Sequence, residues 1–428
     1  MIAARSIGPV RATFLVAGNM IGSGIYLLPA TMGAFGSVSL IGWIVTTLGA
    51  LLLAGVFAAL FRLRPDSLGV ARQVGDALGR GFGFQTSLLY WTGCWVGNSG
   101  IALAAAGYLS AFFPALKETA PLILCAAAII WIFVFVNFLG ARRVADFEGA
   151  ALLLGLLPIL AVAIFGWAAF DAGVFLASWN VTAQSDLQTI PATFALIFWA
   201  YLGLESAAVA ATVVREPARD VPIATIAGVG IAALIYIAAS AAMMGLLPAA
   251  ELAQSNAPFA DAAARWIGPI AALVAAACAV FKACGTLCGW LLVSAEIARC
   301  GADAGVLPKA FKEKHAGPPR KNLIIIGALM TLVLVGSAQP SLAQQFGFVI
   351  ALTSLLFLVV FLYCCAALWQ FSAEHPARAG LRALAVGAGI FCVWTILSAP
   401  LTQLLLCAGI VAATGLCYAL ARRGLAPA

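Results

Sequence analysis

Polar positions in this chain are few and gathered into short stretches, and the apolar segments between them run near the ~20 residues a helix needs to cross a bilayer. Twelve such segments are read at roughly Pro9–Met32, Val38–Phe61, Phe84–Phe113, Pro121–Leu139, Gly149–Phe170, Thr189–Val213, Pro222–Leu246, Trp266–Ala298, Asn322–Val335, Phe346–Gln370, Leu384–Ser398 and Leu401–Ala421. An even number of spans puts both termini on one side. The expected fold is an all-α polytopic membrane protein of twelve transmembrane helices.

The first span departs from plain apolar patterning at Gly18-Asn19-Met20-Ile21-Gly22-Ser23-Gly24. Three glycines around an Asn and a Ser invite the helix to open. Unwound backbone at membrane depth is tolerated only where protein buries it or it lines a cavity, because lipid offers no hydrogen-bond partners. In secondary transporters such breaks form substrate sites, where half-helix N-termini present N–H donors and a positive dipole end to a carboxylate. The sixth span carries a second candidate break, Phe198-Trp199-Ala200-Tyr201-Leu202-Gly203-Leu204-Glu205-Ser206. Paired interruptions point to an inverted repeat with a site between its halves. The expectation is therefore a five-plus-five repeat with broken helices 1 and 6. Repeat one covers about 8–175, repeat two about 185–372, and two appended helices about 380–422, all within a single transporter domain.

Composition agrees with the patterning. Of 428 residues 64% are apolar and only 9% charged, and the mean hydropathy is +1.07, which excludes a soluble globule with an ordinary polar surface. The basic residues set the orientation, since cytoplasmic loops near helix ends carry the excess of Lys and Arg. With the N-terminus inside, all 23 basic residues except Lys117, Arg265 and Lys282 fall on the inner side. The expected location is the cell inner membrane, multi-pass, with both termini cytoplasmic, and the net charge of +7 reflects this bias rather than an affinity for nucleic acid. The first span lacks a short apolar core followed by a small-residue cleavage site, so it is expected to stay in the mature protein.

Eleven cysteines fall mostly inside the spans as packing residues, and two histidines, His315 and His375, lie far apart in sequence. No metal or other cofactor is expected. The longest charged connection, Gly301–Lys321, holds no ATPase or kinase phosphate motif, so uphill transport must draw on gradients of ions or of a second solute.

Several strings together carry a family resemblance: Gly18-Asn19-Met20-Ile21-Gly22-Ser23-Gly24-Ile25-Tyr26, Leu89-Tyr90-Trp91-Thr92-Gly93-Cys94-Trp95-Val96-Gly97-Asn98, Gly203-Leu204-Glu205-Ser206-Ala207 and Val221-Pro222-Ile223-Ala224. From about Gly8 to the C-terminus the chain resembles the amino acid–polyamine–organocation superfamily, and within it the basic amino acid/polyamine antiporters. The resemblance implies secondary active exchange of an amino acid, such as arginine, for its decarboxylated amine, agmatine. It implies that Asn19, Ile21, Ser23 and Gly24 receive the substrate's carboxylate and amine, and that Trp199 stacks on its cationic end. Gly93, Cys94, Asn98 and Ile101 would line the third helix and Thr353 the tenth. Trp290 would act as a middle gate and Glu205, tied to Tyr90, as an inner gate. The chain departs from the family at Phe361, where the antiporters have a gating Tyr, at Thr353 for Ser, at Ile101 for Met, and at Lys282 for a small apolar residue. A fixed positive charge beside a cation pathway repels cationic substrates.

Each feature has a plainer alternative. Gly22-Ser23-Gly24 could serve close helix packing, and Asn98 could bridge two helices. Trp91, Trp95 and Trp199 could belong to an interfacial aromatic belt. Glu205 and Lys282 are the two ionisable residues read as lying deep in spans, where such residues mark substrate or proton pathways unless they form a mutual ion pair. Three function classes follow: an amino-acid exchanger, with a proton-coupled or facilitative carrier of neutral amino acids as its variant; an ion channel, disfavoured because no ring-forming selectivity motif is present; and a membrane enzyme, disfavoured because no nucleophile–base pair lies in the spans. The expected partners are a small amino acid or amine and membrane lipid, with a homodimer as the expected assembly.

Overall fold

The computed structural model describes residues 8–22, 24–65, 69–206, 214, 216–303, 307, 309–313 and 317–421. Over these residues the chain is built from α-helices and short 3-10 turns. Among the described residues eight helices are long and apolar enough to cross a membrane, and there are nine if one bent pair is counted as a single span. That pair is α1 (Pro9–Met20) and α2 (Gly24–Gly33), whose axes meet at 50°. Between them the Gly22 N–H donates to Met20 O at 2.6 Å, a tight turn in place of the helical ladder.

The remaining long helices follow in chain order: α3 (Ser39–Leu63), α4 (Val70–Leu78), α5 (Arg80–Leu109), α6 (Thr119–Asn137) and α7 (Ala141–Phe165). After α8 (Ala172–Ala177) come α9 (Asp186–Ala192) and α10 (Phe194–Phe198). The second half continues with α11 (Pro217–Leu246), α12 (Ala249–Gln254), α13 (Pro258–Trp266), α14 (Pro269–Asp303), α15 (Arg320–Gly336), α16 (Leu342–Phe371), α17 (Arg378–Leu397) and α18 (Leu401–Ala421). Of the segments read from sequence, α5 is long enough to span, but Gln85, Tyr90, Asn98, Ser99 and its glycines dilute its apolar character. Helix α15 has 17 residues.

The segment expected as one span at Thr189–Val213 is instead stepwise. Helix α10 gives way to a 3-10 turn at Trp199–Tyr201, and Gly203 follows with φ of 102°, a left-handed conformation that glycine takes without a Cβ clash. A second 3-10 turn covers Leu204–Ser206, and residues 207–213 lie outside the described ones.

Helices α7 and α14 approach closely because small residues face each other: a Cβ on Gly285 would stand 2.2 Å from the Ala151 Cβ, and one on Gly155 would stand 2.3 Å from the Lys282 Cβ. Such contacts replace the hydrophobic drive that lipid removes. Large apolar side chains such as Leu124, Leu153, Leu234 and Ile270 point outward at 71–79% exposure, as a lipid-facing band requires.

Candidate functional site

Both interruptions open onto one space. A cavity of about 50 Å³ is lined by Asn19, Met20, Gly22 and Gly24 of the first break, Trp199, Ala200 and Leu202 of the second, Gly93, Cys94, Gly97, Asn98 and Ile101 of α5, Thr286 and Trp290 of α14, and Thr353 and Phe357 of α16. At the ~10–15 Å³ of such space that one water needs, it has room for a few waters. An amino acid therefore requires the walls to part.

Trp199 is central to this space, and glycines make its seat. A Cβ on Gly24 would lie 2.4 Å from the indole Nε1, and one on Gly97 would lie 2.7 Å from the far edge of the ring. The indole is clamped between the first break and α5, and any larger residue at either glycine displaces it. Gly93 does the same for Phe357, whose ring would meet a Cβ there at 2.5 Å.

Opening two helices leaves carbonyls without partners. Tyr236 on α11 answers both breaks: its hydroxyl donates to Met20 O at 2.6 Å and lies 3.2 Å from Ala200 O. On the α2 side, Tyr26 donates to Gly155 O and Tyr108 donates to Tyr26 O at 2.9 Å. Tyr108 in turn accepts from the Phe259 N–H at 3.1 Å. The half-helix α2 is thus tied to α5, to α7 and to the connecting helix α13.

Glu205 is buried and accepts from the Tyr90 hydroxyl at 2.8 Å and from the Gly203 N–H at 3.1 Å. This lock joins the second break to α5 beside the cavity, with Tyr90 against Phe357 at 4.9 Å between ring centroids. Asn98 donates to Ser294 at 3.3 Å, and Ser294 donates to Trp290 O at 2.7 Å, so Asn98 bridges α5 and α14 while also lining the cavity.

Among the residues expected at the site, Asn19, Gly24, Gly93, Cys94, Asn98, Ile101, Trp199, Trp290 and Thr353 meet at the cavity. Ser23 lies outside the described residues. Ile21 is buried beside the space but is not part of its wall. Phe361 sits one helical turn behind, packed among Phe57, Phe198 and Phe357, and Phe357 is the ring that reaches the cavity. Gly22 was expected as part of the first break, whereas Met20, Gly97, Phe357 and Thr286 were not named as site residues from sequence. Gly97 had a signal, its four-residue spacing from Gly93 on one helix face.

The mutual Glu205–Lys282 ion pair, the plainer alternative to functional roles, is not formed among the described residues. Glu205 bonds Tyr90, and Lys282, 4% exposed, lays its stem on Gly155 of α7, outside the cavity wall. The acidic group whose field reaches Lys282 is Glu148, whose carboxylate lies over Gly289. Helix α7 begins at Ala141 rather than Gly149, which carries a half-buried Glu148 two turns into the helix, and Asp220 in the first turn of α11 is buried too, so Glu205 and Lys282 are not alone among ionisable groups packed within helices. Among the described residues no group of three or more His, Cys, Asp or Glu side chains is placed to hold a metal ion.

A family model described as amino acid permease matches residues 7–421. The chain is 35% identical over 410 residues to the cadaverine/lysine antiporter of Escherichia coli (strain K12), covering 94% of this chain and 92% of that protein. It is 31% identical over 363 residues to the putrescine transporter PotE of Haemophilus influenzae, covering 85% and 83% respectively. The same identity and coverage hold for the putrescine transporter PotE of Escherichia coli (strain K12).

Proposed function

The chain belongs to the amino acid permease family, and from that premise we propose that it exchanges a basic amino acid for the amine left by its decarboxylation. The working architecture is twelve membrane helices in the inner membrane, a five-plus-five inverted repeat with two appended helices, and cytoplasmic termini. Alternating access moves one repeat against the other around a single site. Lysine and cadaverine are the first pair to test, because the relative with that activity aligns along nearly the whole chain. Arginine with agmatine, and putrescine, come next.

The observation that carries this reading is the seat of Trp199 between Gly24 and Gly97, where one ring face can meet a methylene chain and its ammonium end. In this scheme the N–H groups at Gly22–Gly24 and the N-terminus of α2 receive the carboxylate of the amino acid. The diamine, which has no carboxylate, is held through the aromatic side alone. Trp290 closes the site midway, and the Tyr90–Glu205 lock with Phe357 and Phe361 behind it closes the inner route. A second reading, carriage of neutral amino acids, is favoured by one fact: among the described residues no charged side chain lines the cavity.

Counterflow in proteoliposomes separates the two. Labelled lysine should enter many-fold faster when cadaverine is inside than when the lumen is empty, and leucine or alanine inside should not substitute. Lysine uptake indifferent to internal amine, or driven by internal neutral amino acids, would overturn the proposal.

A further inference from the structure

Behind the two half-helices lies a second cavity of about 430 Å³, which shares no lining residue with the central one. Its size falls in the ~300–1,000 Å³ range of small-molecule pockets. Its mouth is exposed at Ala34, Gln254, Gln344 and Pro400, and its floor of Ala195, Leu196, Gly347 and Ala351 is buried. The wall's chemistry is uniform in one respect: among the described residues no Asp, Glu, Lys, Arg or His lines it. Its polar atoms belong to Gln254, Gln339, Gln344 and Gln403 and to a few hydroxyls.

Gln403 is decisive. It is 8% exposed, and its side-chain amide makes no hydrogen bond among the described residues, while its backbone N–H bonds Pro400 O. Amides that leave water are normally partnered, and the Gln403 amide stays in contact with the cavity space, which is where its partner has to lie. An ion entering here would lose water without meeting a counter-charge. A neutral head group that both donates and accepts would satisfy the amide, and the apolar floor would take the rest of the molecule.

We propose that this cavity is a regulatory site for an uncharged amphiphile, an amide or alcohol head on a compact apolar body, with Gln403 as its hydrogen-bond partner. The wall includes Thr31, Ala34 and Phe35 of α2 and Ala195 and Leu196 of α10. These helices run on to Gly24 and Trp199 at the central cavity. A ligand wedged between them, α16 and the α17–α18 connection stabilises the present arrangement, which the transport cycle must leave. Binding stands on the cavity alone, whereas its inhibitory effect rests on the exchange reading above.

The test uses the full chain in lipid nanodiscs with 4-phenylbutanamide and its cationic counterpart 4-phenylbutylammonium. At millimolar concentration the amide should raise the unfolding temperature and the cation should not. Gln403→Leu should weaken the amide roughly fivefold, the loss of one hydrogen bond, and Ala34→Trp, which fills the mouth, should abolish the shift. In proteoliposomes the amide should lower the maximal counterflow rate without raising the KM for lysine. No thermal shift, a shift that survives both variants, or equal stabilisation by the cation would overturn the site. Binding without any effect on counterflow would overturn its regulatory role. Because the thermal readout needs no transport, absence of lysine–cadaverine exchange is recognised as a failure of the exchange reading alone.

Discussion

Two residues concentrate what the site does. Trp199 is half-buried over the cavity with a glycine at each end of its indole, so its ring is positioned by the absence of side chains at 24 and 97. Trp199→Leu is expected to cost roughly 0.5–2 kcal/mol of lysine or cadaverine affinity, and Trp199→Phe to keep part of it, because the ring face makes the contact. Isothermal titration of purified protein checks this, and unchanged binding in the Leu variant would move Trp199 into the packing. Lys282 lies away from the cavity wall and within the field of Glu148, so its expected role is that of a compensated buried charge rather than a group that repels substrate. Lys282→Met should lower thermal stability while leaving the selectivity among lysine, arginine and neutral amino acids unchanged. Adding Glu148→Gln should restore stability, with a coupling of about 1–3 kcal/mol. A gain in affinity for basic substrates on Lys282→Met would restore the repulsion reading.

At the level of elements, the two interruptions are held open by neighbours rather than by themselves. Tyr236 of α11 supplies the hydroxyl that meets carbonyls from both breaks, and α13 reaches α2 through Phe259, Tyr108 and Tyr26. Helix α13 carries a titratable control outside the membrane spans. Burial pushes the Asp261 carboxyl up from its ordinary value and Glu251 adds to this, while a hydrogen bond from Ser255 and the charge of Lys117 oppose it. A carboxyl raised in the folded state contributes stability that is fully present below the ordinary carboxylate range and is lost as pH rises through its folded value. Amide exchange in Pro258–Trp266, corrected for intrinsic rates, should therefore be slower in mild acid than at neutral pH. Asp261→Asn should remove the difference. Protection that grows with pH in the native protein would contradict the assignment.

For the whole molecule, the proposed exchange has an electrical consequence. Amines titrate near pH ~10.4, so at neutral pH lysine carries one net positive charge and cadaverine two. Each turn that brings lysine in and takes cadaverine out moves one positive charge outward, worth about 2.3 kcal/mol per 100 mV. Liposomes loaded with cadaverine should take up labelled lysine faster at an inside-positive potassium–valinomycin potential and slower at an inside-negative one. Rates indifferent to potential would show that the exchanged species carry equal charge.

The sequence alone determined the membrane class, the position of both interruptions and the family resemblance, because hydropathy and glycine clustering are local properties that survive without neighbours. It also picked out Trp199, Asn98 and Trp290, whose residue types are unusual inside apolar spans. It did not reveal that Phe357 rather than Phe361 borders the cavity, that the field of Glu148 reaches Lys282, or that Tyr236 serves both breaks. Those facts depend on which face of one helix meets another across scores to hundreds of residues. Period and composition leave that choice open, and only close packing at Gly24, Gly97, Gly155 and Gly289 decides it.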